Sequence, residues 1–356
     1  MKLRIVAALL VLLVFSSCGT SKTIVQQAPA KVLVEQLSAI TNKAPYDPRP
    51  GMEKLTRENE AATKDDKLNA PIHFLVFGDS KGSDRLPDVL RRADLLNPQF
   101  CLTTADLVNR GAGGIGEKLY KDLDVDAGWF FRKYPTWPTL GNHEVSGPKE
   151  NSGQDNYVSG VANFGDFFGL KDPLYSFTYG NAKFIALDWI KASKSKERLA
   201  WLEKELKEAQ GKLIFVFKHR PYYTVGSKSY GDVEGKNTVV TDLFEKYKVT
   251  AVFSGHDHIY YRTLRGGVNY IISAGAGANV YKLKRAGDAL ASDSYYGRTV
   301  ENENEFVFHS SEGEDIQFDQ PMYYVLSVKV HNRNVIFEMI DTEGKSWDKF
   351  EFEAKN

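Results

Sequence analysis

Apolar residues along this chain come in short unbroken runs, and most runs stop on a glycine, an aspartate or a histidine. IHFLVF at residues 72–77 is halted by Gly78-Asp79, the pattern of a buried strand that ends in a loop. LPDVLRRADLL, residues 86–96, then shows helical spacing. QFCLTTADLVNRG, residues 99–111, repeats the order of apolar run, aspartate and glycine-bearing loop. A second helical stretch at 116–134 leads into YPTWPTLGNHE at 134–144. LYSFTYGNAKFIALDW, residues 174–189, reads as two strands around a Gly180-Asn181 turn. ERLAWLEKELKEA, residues 197–209, is an amphipathic helix with Glu203 and Lys207 in the favourable four-apart order. KLIFVFKHRPYY at 212–223 is another buried strand with polar residues at its end, and residues 243–261 give helix, strand and the loop SGHDH. The tail, 322–341 and 347–354, alternates like antiparallel strands.

Strands and helices that alternate in this way, with hairpins added in the middle and at the end, predict an α/β fold, mixed α+β in its sheets, over residues 71–356. In such layered folds ligand sites gather beyond the carboxyl ends of strands, and every polar cluster considered below falls there. Residues 19–70 differ: they are polar, broken by Ala-Pro, Asp-Pro and Arg-Pro, and periodic only in KVLVEQLSAI at 31–40, where a short helix is expected. They read as a tether and an N-terminal segment lying on the domain surface.

The first residues change the picture of where the domain works. Lys2 and Arg4 precede an apolar run at 5–15 that is too short to span a bilayer comfortably, so residues 1–18 are expected to be an export signal. The end, Phe15-Ser16-Ser17-Cys18, resembles a bacterial lipoprotein box, in which cleavage leaves Cys18 as a lipidated N-terminus. The alternative is an ordinary signal peptide with an incidental cysteine. The lipoprotein reading implies a cell-envelope protein, anchored to a bacterial membrane through lipid, with its domain outside the cytoplasm. With Cys18 consumed, Cys101 is the one remaining thiol, which excludes an intrachain disulfide; in its apolar run it is expected to be a small core residue.

Charge narrows the partners. The chain carries 46 basic and 46 acidic side chains, and without Lys2 and Arg4 the balance is 44 to 46. No basic block stands out, so nucleic acid is not expected as the main partner. The hydrophobic fraction, 42%, is enough for a sizeable core.

Candidate chemistry sits at five strand ends. They present Asp79, Asp106, Asn142 with His143, His219, and His256 with His258, which takes in four of the seven histidines in the chain. Singly, each has a structural explanation: aspartate after glycine favours turns, asparagine before histidine can cap a helix, and a lone strand-end histidine is usually a hydrogen-bonded surface residue. Together, carboxylates, an amide oxygen and imidazoles suit hard-to-borderline divalent metals. In SGHDH the two histidines alternate, so an extended backbone would turn both to one side and Asp257 to the other.

FGDSK, ADLVN, TLGNHE, FKHRPYY and SGHDHIYYR, in this order, resemble the motif set of the calcineurin-like metallophosphoesterases, which include the purple acid phosphatases. The resemblance implies a four-layer sandwich of two mixed β-sheets flanked by helices. It also implies a two-metal centre (Fe, Zn or Mn, divalent or mixed-valence) that activates water for in-line attack on a phosphomonoester or phosphodiester. Carried over by position, Asp106 would bridge the metals, Asp79 and His258 would complete one site, and Asn142, His219 and His256 the other. His143 would be catalytic, acting on the substrate phosphate. Glu144 would steer His143 or a ligand, or be a solvated loop acid.

Two departures matter. Many members of the family carry a histidine where this chain has Lys81, and purple acid phosphatases carry a tyrosine where it has Asn109. Protonated lysine has no lone pair for a metal, so the Asp79 and His258 site is left with three protein ligands and Asn109 as a weak fourth. Lys81 is either a solvated loop residue or a cation that binds substrate phosphate. The expected function is therefore a phosphoric ester hydrolase acting on a small-molecule or exposed phosphate ester. The alternative is a catalytically impaired member that binds a ligand or partner at the cell envelope.

Overall fold

The computed structural model describes residues 70–170, 172–188, 195–229, 239–283, 294–296, 298–302, 305–310 and 312–355. The expected signal, Cys18 and the expected tether and helix before residue 70 lie outside the described residues.

Two sheets face each other. One is six-stranded, in the order β16 (Ser346–Glu353), β15 (Asn334–Asp341), β14 (Tyr324–His331), β1 (Ile72–Phe77), β2 (Phe100–Thr103), β3 (Thr136–Pro138). The other is seven-stranded, in the order β10 (Ser294–Tyr296), β8 (Tyr260–Arg265), β9 (Val268–Ser273), β7 (Ala251–Ser254), β6 (Leu213–Lys218), β5 (Ala182–Leu187), β4 (Tyr175–Tyr179). Strands β1, β2 and β3 run parallel, as do β5, β6, β7 and β9, while the remaining pairs in both sheets are antiparallel. A three-stranded sheet of β11 (Arg298–Asn302), β12 (Glu305–His309) and β13 (Asp315–Phe318) is appended.

The fully apolar runs of the parallel strands are explained by burial on both faces. Inward, Phe74 meets Phe100, Phe184 and Phe215 at ring-centroid distances of 5.2–5.3 Å, which places an aromatic cluster between the sheets. Each fully buried ring contributes about 1.5–3 kcal/mol. Outward, Leu75 and Phe77 pack on α1 (Leu86–Leu95), α2 (Gly113–Lys133) and α3 (Gly153–Phe168). On the far side Ile185, Ile214 and Val216 pack on α4 (Lys196–Glu208) and α5 (Val239–Lys246). The layers are helices, sheet, sheet, helices, so the expected α/β sandwich of mixed sheets is the observed one. Cys101 is a buried core residue of β2, and burial pushes its thiol up. Among the described residues no helix is long and apolar enough to cross a membrane.

Three local expectations are revised. The helix expected at 116–134 already begins at Gly113, where Asn163 Nδ2 from α3 donates to the carbonyls of Gly111 and Gly113 at 2.9 Å. Helix α3 was not expected at all. Glu203 passes over Lys207 and accepts from Lys246 Nζ at 2.7 Å and Tyr247 Oη at 3.0 Å, so it ties α4 to the end of α5.

The parallel strands of both sheets end at one edge, where side chains and loops stitch the sheets together. Thr104 Oγ1 donates to Ser273 O at 3.1 Å, Thr139 Oγ1 donates to Leu187 O at 3.1 Å, and Ala276 N donates to Gly78 O at 3.0 Å.

Candidate metal centre

Each candidate ligand follows the last residue of a parallel strand by a few positions. Asp79 follows β1, Asp106 β2, Asn142 and His143 β3, His219 β6, and His256 with His258 β7. These turns are sharp. Asp79, Lys81, Ala105, Asp106 and His256 all have positive φ, between 52° and 76°. Left-handed backbone at a non-glycine residue costs about 1 kcal/mol and persists where the surroundings enforce it. Here the enforcement is visible: Asp79 N donates to Ala105 O and Lys81 N to Asp106 O, both at 2.8 Å. Glu144, almost fully buried, accepts from Asp106 N at 3.0 Å, Leu107 N at 2.9 Å and Gly141 N at 2.9 Å. The residue expected to steer a ligand thus does so by gripping the backbone of the central aspartate. His256 shows that SGHDH is a bent loop, not the extended segment expected. Both histidines still face the site, and Asp257 still turns away from it.

Two glycines let the loops close. A Cβ at Gly255 would stand 2.2 Å from Asp79 Oδ2, and one at Gly141 would stand 2.4 Å from Asp106 Oδ1. The motif glycines are therefore steric requirements of the ligands beside them.

The donor atoms converge. His219 Nε2 lies 3.3 Å from Asp106 Oδ1, 3.0 Å from Asn142 Oδ1 and 3.1 Å from His256 Nδ1. His219 Nδ1 is committed to Thr104 O at 2.7 Å, so the lone pair of the neutral ring is on Nε2. Asp106, His219 and His256 offer one ligand atom each within 4.8 Å of one another. On the other side of the centre, His258 Nε2 lies 3.6 Å from Asp79 Oδ1, and its Nδ1 donates to Asn279 O at 2.6 Å. His143 is more open than the other site histidines; its Nδ1 donates to Asn109 O at 2.6 Å and its Nε2 stands 3.8 Å from Asp106 Oδ2. Lys81 also points inward, with Nζ 3.9 Å from the same oxygen. Asn109 meets the site through its carbonyl, which orients His143, and this is a different use from the weak ligand expected of it.

These residues fit metal ions on two observations. Asp79 Oδ2 and Asp106 Oδ2 are buried carboxylate oxygens without a hydrogen-bond partner, an arrangement that is costly unless a cation meets them. Asp106 Oδ1 and Asn142 Oδ1 beside His219 Nε2 are acceptors, and Nδ1–carbonyl bonds at His219 and His258 select the tautomer that puts the lone pair on Nε2. The electrostatics agree. Burial pushes Asp79 up to about 8, with the charge of His219 opposing and that of Asp106 adding to the rise. Burial acts upward on Asp106 too, but the charge and hydrogen bond of His219 hold it below its ordinary value. Burial works against a proton on His219, yet the carboxylates of Asp106 and Asp79 raise it to about 9. A cation at that point would supply the compensating charge and leave the imidazole neutral.

Two contributors had no signal in the sequence pattern. Asp257, buried, accepts from Thr224 Oγ1 at 2.5 Å and Ser229 N at 3.1 Å, anchoring the loop beside the two histidines. Tyr281 stacks on His258, with ring centroids 4.0 Å apart and planes at 14°. By contrast Tyr222 packs on Phe244, Tyr223 on Tyr270 and Tyr260 on Tyr324, so these aromatics near the motifs pack in or against the core.

The chain belongs to the calcineurin-like phosphoesterase family: the family model matches residues 72–260, more than half of its length. It is similar to Purple acid phosphatase 15 of Arabidopsis thaliana, 30% identical over 138 residues that cover 37% of this chain and 26% of that protein. The chain spans between about a quarter and just under half the length of the curated relatives it matches. Among solved structures, purple acid phosphatase PPD1 from yellow lupin (Lupinus luteus) seeds superposes with a TM-score of 0.60 at 17% identity, covering 80% of this chain and 54% of that one. GAP50, the anchor in the inner membrane complex of Plasmodium, does so with a TM-score of 0.55 at 15% identity, covering 80% and 90%. At such identities the likeness is one of fold.

Proposed function

We propose that the protein is a metal-dependent phosphoric ester hydrolase with a two-metal centre. The observation that carries this reading is the convergence of coordinating atoms on His219 Nε2 together with the buried Asp79 Oδ2 and Asp106 Oδ2, which accept no hydrogen bond. Asp106 would be the residue shared by the two ions; Asp79 and His258 would hold one, and Asn142, His219 and His256 the other. A bound metal pair supplies Lewis-acid polarisation of a phosphoryl oxygen and a nucleophilic water at neutral pH.

The chain's own residues do the rest. His143 presents Nε2 at the open side of the site; in its imidazolium form, with Nδ1–H held by Asn109 O, the Nε2–H would donate to a phosphoryl oxygen or pass its proton to the departing one, leaving the neutral ring. Burial lowers its pKa, and the charge of Asp106 opposes the fall. Lys81 is the cation that meets substrate phosphate. The substrate is a small-molecule or exposed phosphate ester. We further propose that the domain works outside the cytoplasm, anchored through lipid on Cys18; Cys18→Ser should abolish incorporation of labelled palmitate and release the protein from the membrane fraction.

Hydrolysis of p-nitrophenyl phosphate and bis(p-nitrophenyl) phosphate by protein supplied with Mn²⁺, Zn²⁺ or Fe²⁺ tests the assignment. His143→Ala should lower kcat by about 10²–10⁴-fold at unchanged metal content. An unchanged rate would contradict the role given to His143.

A further inference from the structure

The Asp79 and His258 position has neither of the additional ligands that the family resemblance would supply, since Lys81 and Asn109 stand in those places. A metal position with few ligands depends heavily on how firmly each one is aimed. His258 is aimed from two directions. Its Nδ1–H donates to Asn279 O at 2.6 Å, and two residues on, Tyr281 lies flat against its ring at 4.0 Å and 14°.

The strap carrying these groups is itself tied down. Tyr281 N donates to His258 O at 3.2 Å, and Ser227 N donates to Lys282 O at 2.9 Å. Gly226 and Leu283 form an antiparallel bridge, and the 224–229 loop is in turn held by Asp257, which sits between the two histidines. Tyr281 also lies 6.0 Å from the ammonium of Lys81, measured to its ring centroid.

We infer that Tyr281 is a positioning residue for His258: its ring face fixes the imidazole plane and so sustains metal affinity at the position formed with Asp79. The ring does this, not the hydroxyl, because the contact is face to face. The inference rests on the two-metal reading above.

Calorimetric titration of the metal-stripped full chain with Mn²⁺ tests it. Wild type should bind two equivalents per chain, and His258→Ala should remove one, which identifies the equivalent concerned. Tyr281→Ala should weaken that same equivalent by about tenfold or more and leave the other unchanged, the usual scale for losing support behind a ligand. Tyr281→Phe should match wild type. Tyr281→Leu keeps apolar bulk without a stacking face; it should behave as Tyr281→Ala and gives the answer if the alanine variant fails to fold. Wild-type affinity in both the alanine and leucine variants, or a loss in Tyr281→Phe equal to that in Tyr281→Ala, would overturn the inference. Fewer than two equivalents in wild type would overturn the two-metal reading itself, and this inference with it.

Discussion

Glu144 holds two loops of the site at once. Its carboxylate takes three backbone N–H groups, from Asp106, Leu107 and Gly141, and so fixes both the left-handed turn at Asp106 and the loop that carries Asn142 and His143. Glu144→Ala should cost about 3 kcal/mol or more in urea denaturation, because three buried donors lose a charged acceptor at once. Glu144→Gln, which keeps one acceptor oxygen, should lose less. Equal stability of Glu144→Ala and wild type would show that water replaces the carboxylate without cost. At this scale most of the site was legible from the sequence, because its ligands sit at strand ends in short motifs whose order is itself informative. Glu144 was only half legible: it lies inside a motif, but two of its three partners are backbone groups 37 and 38 residues away in the chain. Tyr281 was not legible, since a single tyrosine beyond the last motif has no spacing that ties it to His258.

Among the elements, β1 and β14 pair so that His73 lies opposite Lys329, with His73 Nε2 3.0 Å from Ser327 Oγ. Burial and, secondarily, the Lys329 charge lower the pKa of His73 from 6.5 to about 4. The folded state then binds fewer protons than the unfolded chain between these values. The stability tied to neutral His73 is complete above pH 6.5 and is lost as the pH falls towards 4. Allowing for solvent screening of a partly exposed ring, the loss is about 1–2 kcal/mol. Urea denaturation of metal-stripped wild type and His73→Gln across that range should show the variant's stability falling less, and parallel curves would contradict the assignment. The strands themselves were readable because burial on both faces leaves unbroken apolar runs. Helix α3 was not. Its sequence, GQDNYVSGVANFGDFF, is rich in glycine and asparagine, and what holds it is tertiary: Ser152 caps it, and Phe164, Phe167 and Phe168 are buried in the core shared with α2.

At the scale of the whole molecule, the site exists because two sheets bring their parallel strands to one edge. Asp79, Asp106, Asn142 and His143 come from one sheet and His219, His256 and His258 from the other, so anything that loosens the sandwich should also disturb the site. One fastening lies in a buried cluster of β8 and β16. Asp348 accepts from Tyr260 Oη at 2.7 Å and, in a bidentate pair, from Arg262 at 2.5 and 3.0 Å. Asp348→Ala should destabilise the fold by about 3 kcal/mol, because it strips a largely buried guanidinium of this acceptor. Thermal denaturation reads the effect, and an unchanged midpoint would mean that the pair contributes no net stability.

The central claim is that the edge between the sheets holds two metal ions through a shared Asp106. Elemental analysis of purified wild type and Asp106→Asn, each dialysed against excess Mn²⁺, Zn²⁺ or Fe²⁺ and then metal-free buffer, tests it most directly. Two metal ions per chain in wild type, and loss of both equivalents from Asp106→Asn while the variant stays folded, is the predicted result. One ion or none in wild type with every metal supplied would contradict the claim and favour a protein that keeps the fold to bind a ligand or partner.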